Sequence, residues 1–246
     1  MNAKEIKPYK KNLDYSYTLG AFPTIELLKT RPQEVISLFV HPTFEVPEVM
    51  ANIAKKHGIR IEENEKLISK LSDKENVFVV GIFKKYADEL DKDSSHLCLV
   101  EPSNMGNLGT IIRTTVAAGI HDIAIIGNGA DIFNPKTVRA SMGAVFRLRH
   151  KVYASYEDYI SEVSCRRAFA FMLTGKKQKT VLECDKPDVF TLIFGNEATG
   201  LPADYEEKAE SIIIPQSDEV DSLNLTIAVG IGLFAFKNGL KILDEK

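Results

Sequence analysis

Three short stretches of this chain combine glycines with side chains able to do chemistry. The first, "EPSNMGNLGTIIRTT", follows an apolar strand and opens a helix, where open α/β sheets place ligands. Its glycines miss both the G-x-G-x-x-G spacing and the G-K-[ST] ending, so neither the dinucleotide nor the phosphate-loop fingerprint is met. More specific are Asn107 and Arg113, expected on roughly neighbouring faces of that helix. An Arg on an otherwise apolar helix needs a partner, either a carboxylate or a bound anion. The second stretch, "VFTLIFGNEATGLP", is an apolar strand that empties into a polar glycine turn. Such a turn leaves main-chain N–H and C=O groups free to bind something planar. Glu197 at its tip is either a candidate acid or a solvated loop carboxylate. The third runs from the strand "ESIIIPQ" through "SDEVD" into "SLNLTIAVGIGLFAF". Ser222 suits an N-cap and Asn224 the first helical turn, where amide groups have no intrahelical partner. Ala228, Gly230, Gly232 and Ala235 imply close packing along that helix, in a core or at a subunit interface.

The elements that must position these residues alternate regularly. After the charged stretch "KKYADELDKDSS", read as a linker, come strand "HLCLV", helix "LGTIIRTTVAAG", strand "DIAIIG", helix "PKTVRASMGA", strand "RHKVYA", helix "YEDYISEVS" and strand "AFAFML". This order predicts a mainly parallel sheet flanked by helices. Gly119 is expected to close the first of those helices, and Asn134 with Pro135 to cap and open the second. Before the linker, "EVISLFV", "PEVMANIAKKHG" and "NVFVVGIF" read as strand, helix and strand, with Gly58 ending the helix. The expected domains are therefore residues 1–90, a small α/β/α body with an N-terminal extension, and residues 91–246.

A length of 246 residues suits two such bodies, and a net charge of −3 gives no global signal for nucleic acid. The exception is local. Between Ile132 and Tyr156 there is no acidic residue, whereas Lys136, Arg139, Arg147, Arg149, His150 and Lys151 all fall there. Three scattered cysteines, with no C-x-x-C and no metal-ligand spacing, suggest reduced thiols and no metal site. The N-terminus lacks a signal-peptide core, and the apolar run Leu223–Phe236 is well short of the roughly 20 residues that cross a bilayer. A cytoplasmic protein without membrane attachment is expected.

In this order and spacing, "NLGTIIR", "IFGNEATGLP" and "IPQSDEVDSLNL" resemble the three motifs of the SpoU–TrmH family of RNA ribose 2′-O-methyltransferases, of the SPOUT class. The segment "NPKTVRASMGA" also matches, and the resemblance covers about residues 97–236. It implies a trefoil-knotted α/β domain, S-adenosylmethionine (AdoMet) bound in the knot, and a homodimer whose active site draws on both chains. By position Asn107, Arg113, Glu197, Ser222 and Asn224 take the catalytic places, and Thr174, Gly195, Ile214 and Leu223 the cofactor places. The N-terminal body resembles, by texture, a ribosomal-protein-like RNA-binding domain of the family. Lys136, Arg139, Arg147, Arg149 and Lys151 then become a surface that tracks RNA phosphates. Departures are Gln216 and Asp218, where Met and Gly are common, and Leu225 and Thr226, where Val and Ser are usual. The implied substrate is RNA, ribosomal ahead of transfer RNA. A silent RNA-binding protein of the same fold would have lost Arg113, Glu197 or Asn224, and all three are present.

Overall fold

The computed structural model describes residues 3–237 except 73, 75, 164, 165, 174, 176 and 177. They divide into two compact units, one of Met1–Tyr86 with Asp131–Arg147, the other of Ala87–Ala130 with Leu148–Lys246.

The smaller unit begins with β1 (Tyr15–Tyr17), α1 (Ala21–Thr30), β2 (Val35–Val40), α2 (Glu48–His57), β3 (Ile61–Glu63), α3 (Glu65–Leu71) and β4 (Val79–Lys84). Its sheet has the order β1-β4-β2-β3, with only the β2–β3 pair parallel. The two-residue period of a strand sorts β2 between two cores: Leu38 and Val40 pack with Met50 and Ala54, while Phe39 packs with Leu67 and Ile82. Gly58 closes α2 in the left-handed region, as its position after the periodic run predicts.

The chain continues with β5 (His96–Val100), α4 (Met105–Ala117), β6 (Asp122–Ile126), α5 (Pro135–Ala140), β7 (Arg149–Tyr153), α6 (Tyr156–Glu162), β8 (Arg167–Phe171), β9 (Lys179–Thr180), β10 (Phe190–Phe194), α7 (Tyr205–Lys208), β11 (Glu210–Ile213) and α8 (Leu225–Lys237). Of these, α5 belongs to the smaller unit. There Phe133 and Phe146 pack edge-on against Phe83, and Ser16 Oγ donates to the Phe133 carbonyl. Asn134 caps α5 through its side chain and Pro135 opens it; the motif "NPKTVRASMGA" is thus held by the smaller unit.

The larger unit is a seven-stranded sheet, β7-β6-β5-β10-β8-β11-β9, in which every pairing is parallel. β10 enters between β5 and β8, and all five of its residues are buried. The stacked rings of Phe171 and Phe194 receive α8 at Gly232, where a Cβ would lie 2.7 Å from Phe171 Cζ. Gly232 therefore serves the core of its own chain. The opposite face of α8 leaves Ile227, Ile231 and Phe234 exposed, spaced four and three residues apart. Cys98 and Cys184 are free thiols; burial raises both of their pKa values. Cys165 lies outside the described residues. No helix among the described residues is long and apolar enough to cross a membrane.

Candidate active site

β10 ends at Phe194, and the next six residues close a tight turn. Asn196 and Gly200 exchange main-chain hydrogen bonds of 3.2 and 2.9 Å, and Asn196 Oδ1 accepts from the Ala198 and Thr199 amides. A Cβ on Gly195 would lie 2.2 Å from the Gly200 carbonyl carbon, so only glycine fits there. Asn196 Nδ2 donates over 2.7 Å to the carbonyl of Glu101, at the end of β5. Glu101 has φ 48°, a left-handed conformation that costs a side-chain-bearing residue about 1–2 kcal/mol. Such strain persists where surrounding bonds hold it, and here the Asn196 amide does so.

Glu197 joins the two loops. Its Oε2 accepts from the Ser103 amide (2.9 Å) and hydroxyl (2.7 Å), and its Oε1 from the Asn104 amide (3.1 Å) and Asn107 Nδ2 (3.2 Å). Burial pushes this carboxyl up, but the Ser103 bonds, joined by those of its own amide and of Asn104, outweigh it and hold the pKa below the usual carboxylate range. Glu197 is thus ionised at neutral pH, a clasp between loops rather than a proton donor. Asn104 in turn caps α4, its Oδ1 accepting from the Gly106 and Asn107 amides at 2.8 and 3.0 Å.

Beside this clasp, at the C-terminal ends of β8, β10 and β11, lies a cavity of about 350 Å³. Gly195, Ile214, Leu223, Glu197 and Ser222 line it. The main-chain groups of Ile214 and Leu223 make no hydrogen bond to another described residue, so they are available to a ligand. Gln216 also lines the cavity, its Nε2 reaching the carbonyls of Val220 and Asp221 at 3.5 and 3.4 Å. Thr174 lies outside the described residues. A larger cavity of about 450 Å³ opens at the other ends of β8 and β10; of its cations, Arg167 and Lys208 are each paired with two carboxylates, and Arg166 donates to the carbonyls of Ser94 and Lys92.

Two sequence expectations are corrected here. Six residues of helix turn through about 600°, which sets Asn107 and Arg113 roughly 120° apart. Asn107 accordingly points to Glu197, while Arg113 is exposed, with no ion pair or hydrogen bond among the described residues. The last helix starts later than expected, at Leu225, so Ser222 is not its cap. Asn224 takes that place: its Oδ1 accepts from the Thr226 amide and hydroxyl at 2.9 and 2.7 Å, and its carbonyl from the Ile227 and Ala228 amides. The basic window also divides. Arg147 is bound to Glu26, Arg149 to Asp122, and Lys151 to Glu89 and Glu162. Lys136 and Arg139 have no such partner among the described residues, and both belong to the smaller unit.

Comparison with known proteins identifies the family. The model of the SpoU rRNA Methylase family matches residues 94–234. The chain belongs to this family. A relative named as a 23S rRNA (uridine(2479)-2′-O)-methyltransferase of Streptomyces viridochromogenes is 31% identical over 157 residues, covering 59% of this chain and 55% of its own length. The 23S rRNA (guanosine(2553)-2′-O)-methyltransferase of Bacillus subtilis is 34% identical over 128 residues, 51% of each. The chain thus spans about half the length of these two relatives. Among solved structures, an AdoMet-bound rRNA methyltransferase from Sinorhizobium meliloti superposes with a TM-score of 0.79 at 33% identity, covering 92% of this chain and 88% of that one. Glu101, Ser103 and Asn104, which with Asn196 of the glycine turn hold the motif loops together, escaped the sequence reading. Asn104, three residues before Asn107, carried a capping signal that would have found it.

Proposed function

We propose that this chain transfers the methyl group of AdoMet to a ribose 2′-hydroxyl of RNA, ribosomal RNA ahead of transfer RNA. The carrying observation is the Glu197 clasp, which gathers the first two motifs beside a cavity floored by the third. At about 350 Å³ the cavity is within the range of roughly 300–1,000 Å³ for small-ligand sites. Its lining suits a nucleoside with a charged tail: apolar side chains, a glycine turn and unspent main-chain groups at Ile214 and Leu223. Gly195, Ile214 and Leu223 would hold AdoMet, which supplies a methyl group on a sulfonium.

The chain's own task is to align the hydroxyl and ease its proton away. A guanidinium, with a pKa above about 12, is a poor base. Arg113 instead takes the RNA phosphate beside the reacting ribose bidentately, and its field lowers the pKa of the hydroxyl, whose proton passes to solvent water. Glu197, fixed by Ser103, Asn104 and Asn107, keeps the loop before α4 in place, so that Arg113 meets the substrate without rearrangement. Asn224 has spent its Oδ1 on the start of α8; its Nδ2 is left to donate to an anionic group, with Ser222 alongside.

The reading includes a homodimer and the knot. Support for the dimer is the apolar stripe Ile227, Ile231 and Phe234 on α8, the helix that packs on α4. A Cβ on Gly230 would reach Thr114, the neighbour of Arg113, at 3.9 Å. A second chain seated on that stripe covers Arg113 and completes the site. Support for the trefoil threading is the entry of β10 between β5 and β8 rather than at a sheet edge. The smaller unit and the unpaired Lys136 and Arg139 provide RNA affinity, and the protein works in the cytoplasm. The test is incubation with labelled AdoMet and total RNA from a strain lacking the gene, followed by mapping of 2′-O-methyl positions. New label in ribosomal RNA supports the reading; label only in bases, or none, ends it.

A further inference from the structure

We propose that the smaller unit carries a base-stacking platform, Phe22 with Met142, flanked by Lys136 and Arg139 as phosphate contacts, and that it holds an unpaired nucleotide of the substrate RNA. The proposal rests on the RNA reading above and assigns a place and a mode of recognition within it.

Four observations converge. Phe22, in the first turn of α1, is 55% exposed although it is a large aromatic. Met142, 38% exposed, has φ 52°, a left-handed conformation normally left to glycine at a helix end. Helix α5 ends two residues before it, and the Met142 amide donates to the Arg139 carbonyl at 3.0 Å. The segments that carry these two residues adjoin, because Gly143 is pressed against α1. A Cβ there would lie 3.0 Å from Pro23 Cα and 2.8 Å from Glu26 Cβ. Folding thus spends conformational strain on an exposed, unbranched and polarisable thioether, in the turn that abuts the helix carrying the open ring.

The charge around the pair is complementary to nucleic acid. Glu26, the acid on α1 that Gly143 abuts, is neutralised by Arg147 at 2.6 Å. Lys136 and Arg139, on the helix leading into Met142, have no ion pair among the described residues. An aromatic face with adjacent free cations is the arrangement that takes a splayed base and its phosphates. It favours single-stranded RNA over a duplex, whose bases are already stacked.

The test uses the full-length protein, labelled AdoMet and an unmodified 23S rRNA transcript, with AdoMet affinity measured in parallel. Phe22→Ala is expected to raise KM for RNA at least about fivefold, the low end of a lost base–aromatic stack, with kcat and AdoMet affinity unchanged. Phe22→Trp should stay within about twofold of the parent. Lys136→Gln should lower the slope of log affinity against log salt by about 0.7, the value for one single-strand phosphate contact. If the parent enzyme methylates the transcript but Phe22→Ala leaves KM unchanged, the platform is refuted while the activity stands. If the parent itself transfers no methyl group to any RNA, the functional reading fails first.

Discussion

Replacing Glu197 by Gln removes one negative charge and almost no volume, which makes it a sharp probe of the clasp. Each carboxylate oxygen of Glu197 accepts two hydrogen bonds. A Gln amide offers one oxygen to one pair of donors and turns an NH2 group towards the other pair. Two of the four bonds are lost and donors then face donors. Hydrogen bonds to a charged group are worth about 1.5–3 kcal/mol when buried. Ser103 and Asn104 are exposed, so water replaces much of that, and we expect about 1–2 kcal/mol in stability. Catalysis should suffer more, because the clasp sets the loop ahead of Arg113: a displacement of about 1 Å can cost 100-fold. The expected result is a fall in kcat of about 10–100-fold, an AdoMet affinity changed only a few-fold, and a melting temperature lower by a few degrees. The pH dependence supplies a second check. The folded pKa of Glu197 is depressed, so its contribution to stability is present above the ordinary carboxylate value of about 4.3. That contribution is lost as pH falls through the depressed value, and Glu197→Gln should flatten this part of the acid limb. Normal turnover in Glu197→Gln, with an unaltered acid limb, would refute the clasp as the organising contact.

Other outcomes follow from the same geometry. Arg113→Ala should abolish methylation while AdoMet affinity, measured by calorimetry, stays within a few-fold; near-normal turnover would remove Arg113 from the mechanism. Asn224→Ala should do the same and also cost about 1 kcal/mol through the lost helix cap, whereas Asn224→Ser should recover the stability but not the activity, separating the two duties. Gly195→Ala forces a Cβ to within 2.2 Å of the Gly200 carbonyl carbon, so the variant should lose AdoMet binding at least tenfold while the melting of the rest of the fold persists. Phe234→Glu places a charge in the exposed stripe of α8 and should yield an inactive monomer by sedimentation velocity; a dimeric, active variant would move the interface elsewhere.

Most strands of the larger unit were legible because they are apolar runs bounded by turn residues, from "HLCLV" to "VFTLIF", whereas β9 and α7, two and four residues long, are too short to carry a pattern. The helix stops at Gly58 and Gly119 were legible for a local reason, the left-handed residue each needs. Asn224 was recognised as a helix-start residue but placed two residues too deep, since the decision between Ser222 and Asn224 depends on how the loop from Gln216 returns to the sheet. The partner of Asn107 was not legible at all. Glu197 lies ninety residues further along, and only the insertion of β10 beside β5 brings the two together. Pairings of Arg147, Arg149 and Lys151 with distant acids likewise escape any one-dimensional reading of charge.

The smaller unit closes around two separate pieces of sequence, and this limits how the gene can be cut. A fragment ending at residue 90 lacks Phe133 and Phe146, the rings seated on Phe83, and would bare a patch of its own interior. A chimaera that grafts a foreign recognition head onto this catalytic body therefore needs two matched junctions, near residues 86 and 131–147, carried over together. Transplanting the leading segment alone yields an incompletely filled, aggregation-prone hybrid.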